Sequence, residues 1–211
     1  MNYGERLASW YFRLNGFIPM PDFVLHHLKS HRVMENERGN HDQRHADVDL
    51  LAVRFPHVFE EVGGQPKDWD RSLGALLDST RPVGVIVEVK TSVTARPTLR
   101  RQRLRRSIQR IGLVDQATAH EAADFLHASQ GDGLHPVFAT PQAVVGTVLV
   151  CPQKRINQAL LADYTHVIGL EDCLKFIRRR MKKYATEKEA SRLMFPDELI
   201  QFLAWEAGLP E

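Results

Sequence analysis

Asp49, Glu88 and Lys90 are the residues of this 211-residue chain whose types and spacing could do chemistry. Glu88 and Lys90 interrupt the apolar run "VGVIVEVKTS" (83–92), and Asp49 stands in "ADVDLLAVRF" (46–55). Residues two apart on a strand point to one face, so Glu88 and Lys90 stand side by side at the end of an otherwise apolar strand. A lone buried charge costs several kcal/mol, so such a pair needs a mutual, metal or substrate partner. The plain alternative is a surface ion pair on a strand that is leaving the core. If the two strands are neighbours, Asp49 meets Glu88 across the sheet. Two converging carboxylates repel unless a divalent cation sits between them, and hard oxygen donors suit Mg2+ or Mn2+ rather than zinc. Such a cation would coordinate a scissile phosphate and lower the pKa of a bound water. Lys90 would orient that water or stabilise developing charge.

The elements that must position these residues follow from period and punctuation. Leu7, Trp10, Tyr11 and Leu14 fall at i, i+3, i+4 and i+7, predicting an amphipathic helix over 4–15 with Gly16 as its stop. "GFIPMPDFVLHHL" predicts extended chain, with Pro19 and Pro21 confining its first half to an edge or irregular strand. A polar, His-rich segment at 29–45 predicts a loop or hairpin tip, and 46–55 a strand. Residues 56–82 predict an insertion with a short helix in "DWDRSLGALL", ahead of the 83–90 strand. Two helices follow, the arginine-rich stretch and "VDQATAHEAADFLHAS", then strands in "AVVGTVLVC" and "THVIGL". From about residue 170 the pattern is helical, in "LEDCLKFIRRRMKKYA" and "PDELIQFLAWEA". This order predicts a mixed α/β domain around one sheet, with a C-terminal helical addition.

Charge distribution says more than the net charge of +2. "TARPTLRRQRLRRSIQRIG" holds Arg96, Arg100, Arg101, Arg103, Arg105, Arg106 and Arg110, with no Asp or Glu from 89 to 114. A second cluster, "KFIRRRMKKY", follows at 175–184. Unbalanced arginines suit a polyanion, nucleic acid above all, while the plain reading is a solvated helical face. Arg103 and Arg106 share one face of a helix, and Arg101 and Arg105 another. Cys151 and Cys173 form neither a CxxC nor a disulfide framework, which suggests a reducing compartment. "MNYGERLASWYF" is not a secretory signal, and the longest apolar stretches are too short to span a bilayer. The expectation is a cytoplasmic protein without a membrane partner.

Several residues stay open between two roles. Asp47 is either a second site acid or a solvated strand-start acid. Glu5 is a site acid or a surface acid that complements its helix dipole. Thr91 and Ser92 contact phosphate or cap the next helix. His26, His27, His31, His41 and His45 lack tight zinc spacing with cysteine. Leu174, Ile177 and Met181, then Leu199, Phe202, Leu203 and Trp205, form apolar stripes that must pack on the core or on another chain.

Glu5 in a helix ending "LNGF", Asp49 in "DVDLLA", and "EVK" together resemble the PD-(D/E)XK nuclease superfamily, the restriction-endonuclease-like fold. The opening is similar to its Holliday-junction-resolvase-like branch, and the resemblance covers roughly residues 4–150. It implies a mixed central sheet flanked by helices over 1–168, with an insertion at about 56–82, and a helical extension over 169–211. Val48 stands where the signature proline would precede the acid, and the 39 positions from Asp49 to Glu88 require the excursion. By resemblance, Asp49, Glu88 and the Val89 carbonyl hold Mg2+ or Mn2+, Lys90 is the catalytic lysine, and Glu5 is an auxiliary acid. Arg100, Arg101, Arg103 and Arg106, with Thr91 and Ser92, are the expected nucleic-acid contacts. The implied activity is a metal-dependent endonuclease acting on DNA, in restriction, phage defence or repair, as a homodimer or with a partner subunit. A nuclease subunit active only within a larger complex, and a non-catalytic scaffold whose arginines bind an acidic protein, are the alternatives.

Overall fold

The computed structural model describes residues 1–25, 47–92, 99–131, 135–187 and 195–209. Its helices are α1 (Tyr3–Leu14), α2 (Arg101–Ile111), α3 (Gln116–Ala128), α4 (Gln158–Asp163), α5 (Leu170–Lys183) and α6 (Glu198–Glu206). Its strands are β1 (Ile18–Val24), β2 (Asp47–Arg54), β3 (Val83–Val89), β4 (Val137–Ala139), β5 (Val144–Cys151) and β6 (His166–Gly169). The protein is an α/β structure around one mixed six-stranded sheet of order β1-β2-β3-β5-β4, with β6 also paired to β5. The β1–β2–β3 meander is antiparallel, and β3–β5 and β5–β6 are parallel.

Position in the sheet explains composition. β3 and β5 lie inside it and every residue of both is buried, which is why they read as near-continuous Val and Ile runs. β1 lies at the edge, where Pro19 and Pro21 cost no ladder bond. Odd positions of β3 (Val83, Val85, Val87, Val89) join a core shared with α1, α5 and α6. Ile86 faces the opposite layer, built from α2, α3 and α4. Each of these core side chains contributes roughly 1.5–3 kcal/mol of transfer free energy. Close packing on the second face needs Gly84, where a Cβ would come within 2.9 Å of Ile111 Cγ2.

Local signals place the helix ends. Asn2 caps α1 by accepting from Gly4 and Glu5 N–H, and Glu5 returns the bond to Asn2 N at 2.8 Å. α2 stops at Gly112 in the left-handed region (φ 73°), and Asp115 caps α3 through Thr118 N–H. β4 and α4 have no counterpart in the sequence reading. At three and six residues they are too short to show a period.

The stretch between β2 and β3 forms two 3-10 helices, Pro66–Asp68 and Arg71–Leu77, and buries Leu73 and Leu76 in the α1/α5 core. Buried polar groups fasten it there. Arg54 lies against the Trp69 ring at 4.1 Å and donates to the Asp78 carbonyl at 2.8 Å. Asn15 accepts from Asp70 N–H at 2.6 Å, and Tyr11 Oη donates to Asp70 at 2.9 Å. Among the apolar residues of the C-terminal helices, Cys173, Phe176, Ile177, Met181, Ile200 and Leu203 enter this same core. Among the described residues, no helix is long and apolar enough to cross a membrane.

Candidate active site

β2 and β3 pair with Leu50 opposite Val87, so the next step along the ladder sets Asp49 opposite Glu88. Directly opposed residues share a face, and here it is the α2/α3 face that Leu51 and Ile86 also occupy. Asp49 Oδ2 accepts from Val89 N–H at 2.7 Å, which ties the two strand ends together. Lys90 Nζ donates to Glu88 Oε1 at 2.6 Å and lies 3.5 Å from Asp49 Oδ2. From the overlying helix, Arg103 Nη2 comes within 2.7 Å of Glu88 Oε2. That approach is an ion pair without hydrogen-bond geometry, because Glu88 Oε2 is buried and accepts no hydrogen bond. The Glu88 side chain is 5% exposed, whereas Lys90 is 32% exposed. The site is therefore rooted in the core and open on the lysine side.

Two acids and two bases balance formally, yet the balance is uneven. Burial, then the charge of Glu88, raises the Asp49 carboxyl above the ordinary range, outweighing the Val89 N–H, Lys90 and Arg103. Tyr164 is fully buried, and its phenol is pushed up first by burial and then by the Glu88 charge. Nothing in the sequence marked Tyr164, since it is a single aromatic residue ahead of a short strand. On the neighbouring edge strand, Pro21 pairs with Leu50 and Phe23 with Val48, while the exposed carboxylate of Asp22 between them lies 3.6 Å from the Met1 amine. Asp22 takes a left-handed φ of 53°, which is uncommon outside glycine.

The other expected site residues divide. Glu5 holds Asn2 in the capping box, and among the described residues no hydrogen bond or ion pair joins it to Asp49, Glu88 or Lys90. Its helix nevertheless reaches the site end of β3, since a Cβ on Gly4 would lie 2.5 Å from Thr91 Cγ2. Thr91 is half-buried and Ser92 exposed. Neither caps α2, whose N-cap is Arg100. Arg101 forms a two-pronged pair with Asp124 of α3, and Arg110 lies over the Phe23 ring at 4.7 Å. Arg100, the N-cap, is exposed, and Arg106 is half-buried in the middle of α2. The five histidines, Arg96 and the Asp47 side chain lie outside the described residues.

Among the described residues no group of three or more His, Cys, Asp or Glu side chains could hold a metal ion. Mg2+, however, commonly binds through one or two carboxylates, completing its shell with water and substrate phosphate. Asp49 and Glu88 fit that sparse donor set, and the buried Glu88 Oε2, which accepts no hydrogen bond, is an oxygen such a cation could use. Comparison with protein-family models, curated proteins and solved structures found no match for this chain.

Proposed function

We propose that the protein is a Mg2+-dependent endonuclease of the PD-(D/E)XK type, with a restriction-endonuclease-like arrangement, that hydrolyses phosphodiester bonds in DNA. One observation carries the reading: two acids and a lysine, drawn from two neighbouring strands, meet at the open end of the sheet on one face. Asp49 and Glu88 would hold Mg2+ or Mn2+, with the Val89 carbonyl as the third donor implied by resemblance. When bound, the cation supplies Lewis-acid stabilisation and a more acidic water. Lys90, with its Nζ at both carboxylates, is placed to hold the attacking water or balance charge on the phosphate. The arginine density of α2, with Arg100 exposed at its start, favours a phosphate backbone as the partner.

Purified protein is expected to nick supercoiled plasmid with Mg2+. Asp49→Asn and Glu88→Gln should each lower that rate at least about a hundredfold, the scale of losing one group that stabilises the transition state. Circular dichroism should remain that of the wild type. Wild-type nicking by either variant at matched Mg2+ would remove the assignment.

A second reading, a nuclease subunit that cuts only within a larger complex, is favoured by Phe202 and Trp205. These residues are 54% and 57% exposed on α6, and their rings lie side by side at 5.8 Å, tilted by 35°. Protein that binds Mg2+ through Asp49 and Glu88 but leaves plasmid intact would support this second reading over the first.

A further inference from the structure

Resting on the nuclease reading, we infer that Arg103 is a gate on the metal site: it occupies Glu88 in the free protein and moves to substrate phosphate when nucleic acid binds. The contact has the right character for exchange. Arg103 Nη2 stands 2.7 Å from Glu88 Oε2 yet makes no directional hydrogen bond with it. Its tie to Glu88 is one of charge rather than of a directed bond, and a competing charge can loosen that tie. A phosphate offers the planar fork two acceptors at once. Arg103 sits in the first turn of α2, one turn or less from exposed Arg100 and Arg101, where a polyanion would first meet the helix.

Charge count gives the consequence. With Arg103 in place, Asp49 and Glu88 are matched by Lys90 and Arg103, so an arriving dication meets a neutral cluster. Withdrawing Arg103 leaves a net charge of minus one and uncovers Glu88 Oε2. Nucleic acid then strengthens metal binding, and by linkage the metal strengthens nucleic-acid binding by the same factor. The active centre thus holds its metal more tightly on its substrate than off it. Arg103 acts on the metal through Glu88 and on the substrate through its phosphate.

The test is a titration of the full chain with Mn2+, with the free ion read by electron paramagnetic resonance and no nucleic acid present. Arg103→Gln should bind Mn2+ on the order of tenfold tighter than wild type, within the usual span of coupling between sites. Arg110→Gln, which removes the same charge from the far end of α2, should match wild type. A short DNA duplex should tighten Mn2+ binding more in wild type than in Arg103→Gln. If folded Arg103→Gln binds Mn2+ no tighter than wild type, while Asp49→Asn abolishes that binding, the gate is wrong and the nuclease reading stands. If Mn2+ binds neither protein, with or without duplex, both fall. Should Arg103→Gln not fold, Arg103→Met, which keeps an unbranched stem without the charge, should tighten Mn2+ binding to a similar extent; wild-type affinity would overturn the gate.

Discussion

Lys90 donates to Glu88 at 2.6 Å and lies 3.5 Å from Asp49, so one ammonium serves two carboxylates that would otherwise repel. On the proposed function, a cation in that position would have two separable effects: it would screen the acids, and it would offer charge to a reacting phosphate. The first opposes metal binding, whereas the second assists the reaction. Lys90→Met should therefore lower the nicking rate on the order of a hundred- to a thousandfold while leaving Mn2+ affinity equal or tighter. Kinetics paired with a Mn2+ titration would separate the two, and weakened metal binding would mean that Lys90 chiefly holds Glu88 in position. Glu88 needs the gentler substitution. Removing its side chain as Ala would take a buried carboxylate from both Lys90 and Arg103, a change that costs about 3–5 kcal/mol when one partner of a buried pair is deleted. Glu88→Gln keeps the shape and isolates the charge.

Among the elements, the 3-10 segment between β2 and β3 and helix α5 stabilise each other through Asp68. Its Oδ1 accepts from Lys183 Nζ at 2.6 Å and from the Tyr184 hydroxyl, while Arg180 donates to its carbonyl at 2.7 Å. Burial alone would raise this carboxyl, but the bonds from Lys183, Tyr184 and Gln65 outweigh it and bring the pKa down to about 2. A pKa depressed on folding makes the ionised form the stabilising one. That stability is fully present above the unfolded value, near pH 4, and is lost as pH falls through about 2. Asp68→Asn should melt below wild type at neutral pH, and the gap should close between about pH 4 and pH 2. A gap that persists unchanged at low pH would show that the carboxylate charge is not what joins these elements. Cleavage has no reason to follow this titration, since Asp68 belongs to the α5 side of the sheet and the site to the α2 side.

For the whole molecule, a net charge of +2 conceals an uneven distribution. Much of the charge on α2 already has a partner within the protein: Arg101 pairs with Asp124 at the surface, Arg103 lies on Glu88 and Arg110 lies over the Phe23 ring. Arg100 is the exposed N-cap of α2 and Arg106 is half-buried in its middle, and on the proposed function both are candidate phosphate contacts. Replacing these two by Gln is expected to weaken DNA binding across sequences, because phosphate contacts position the duplex without reading it. The slope of log affinity against log salt should fall by roughly 0.9 for each phosphate no longer neutralised. Fluorescence anisotropy at several salt concentrations reads both, and an unchanged slope would assign these two arginines to partners within the protein.

Alternation and capping lie within a few residues of each other, and at that range the sequence alone determined the outcome. Glu88 and Lys90 share a strand face, Pro19 and Pro21 stand on an edge strand, and Gly112 ends α2, as residue types and spacing required. The sequence also left Glu5 open between two roles, and the capping box with Asn2 employs it at the helix start. Only the tertiary structure decided which long-range partners these local pieces found. It set Asp49 opposite Glu88, laid Arg103 on Glu88, and joined Asp68 to Lys183 and Tyr184 across more than a hundred positions. Seven arginines within fifteen residues carry nearly identical local signals. Which of them meets an acid depends on where α2 crosses the sheet, and that crossing is set by packing, such as Ile111 over Gly84, rather than by any pattern along the chain.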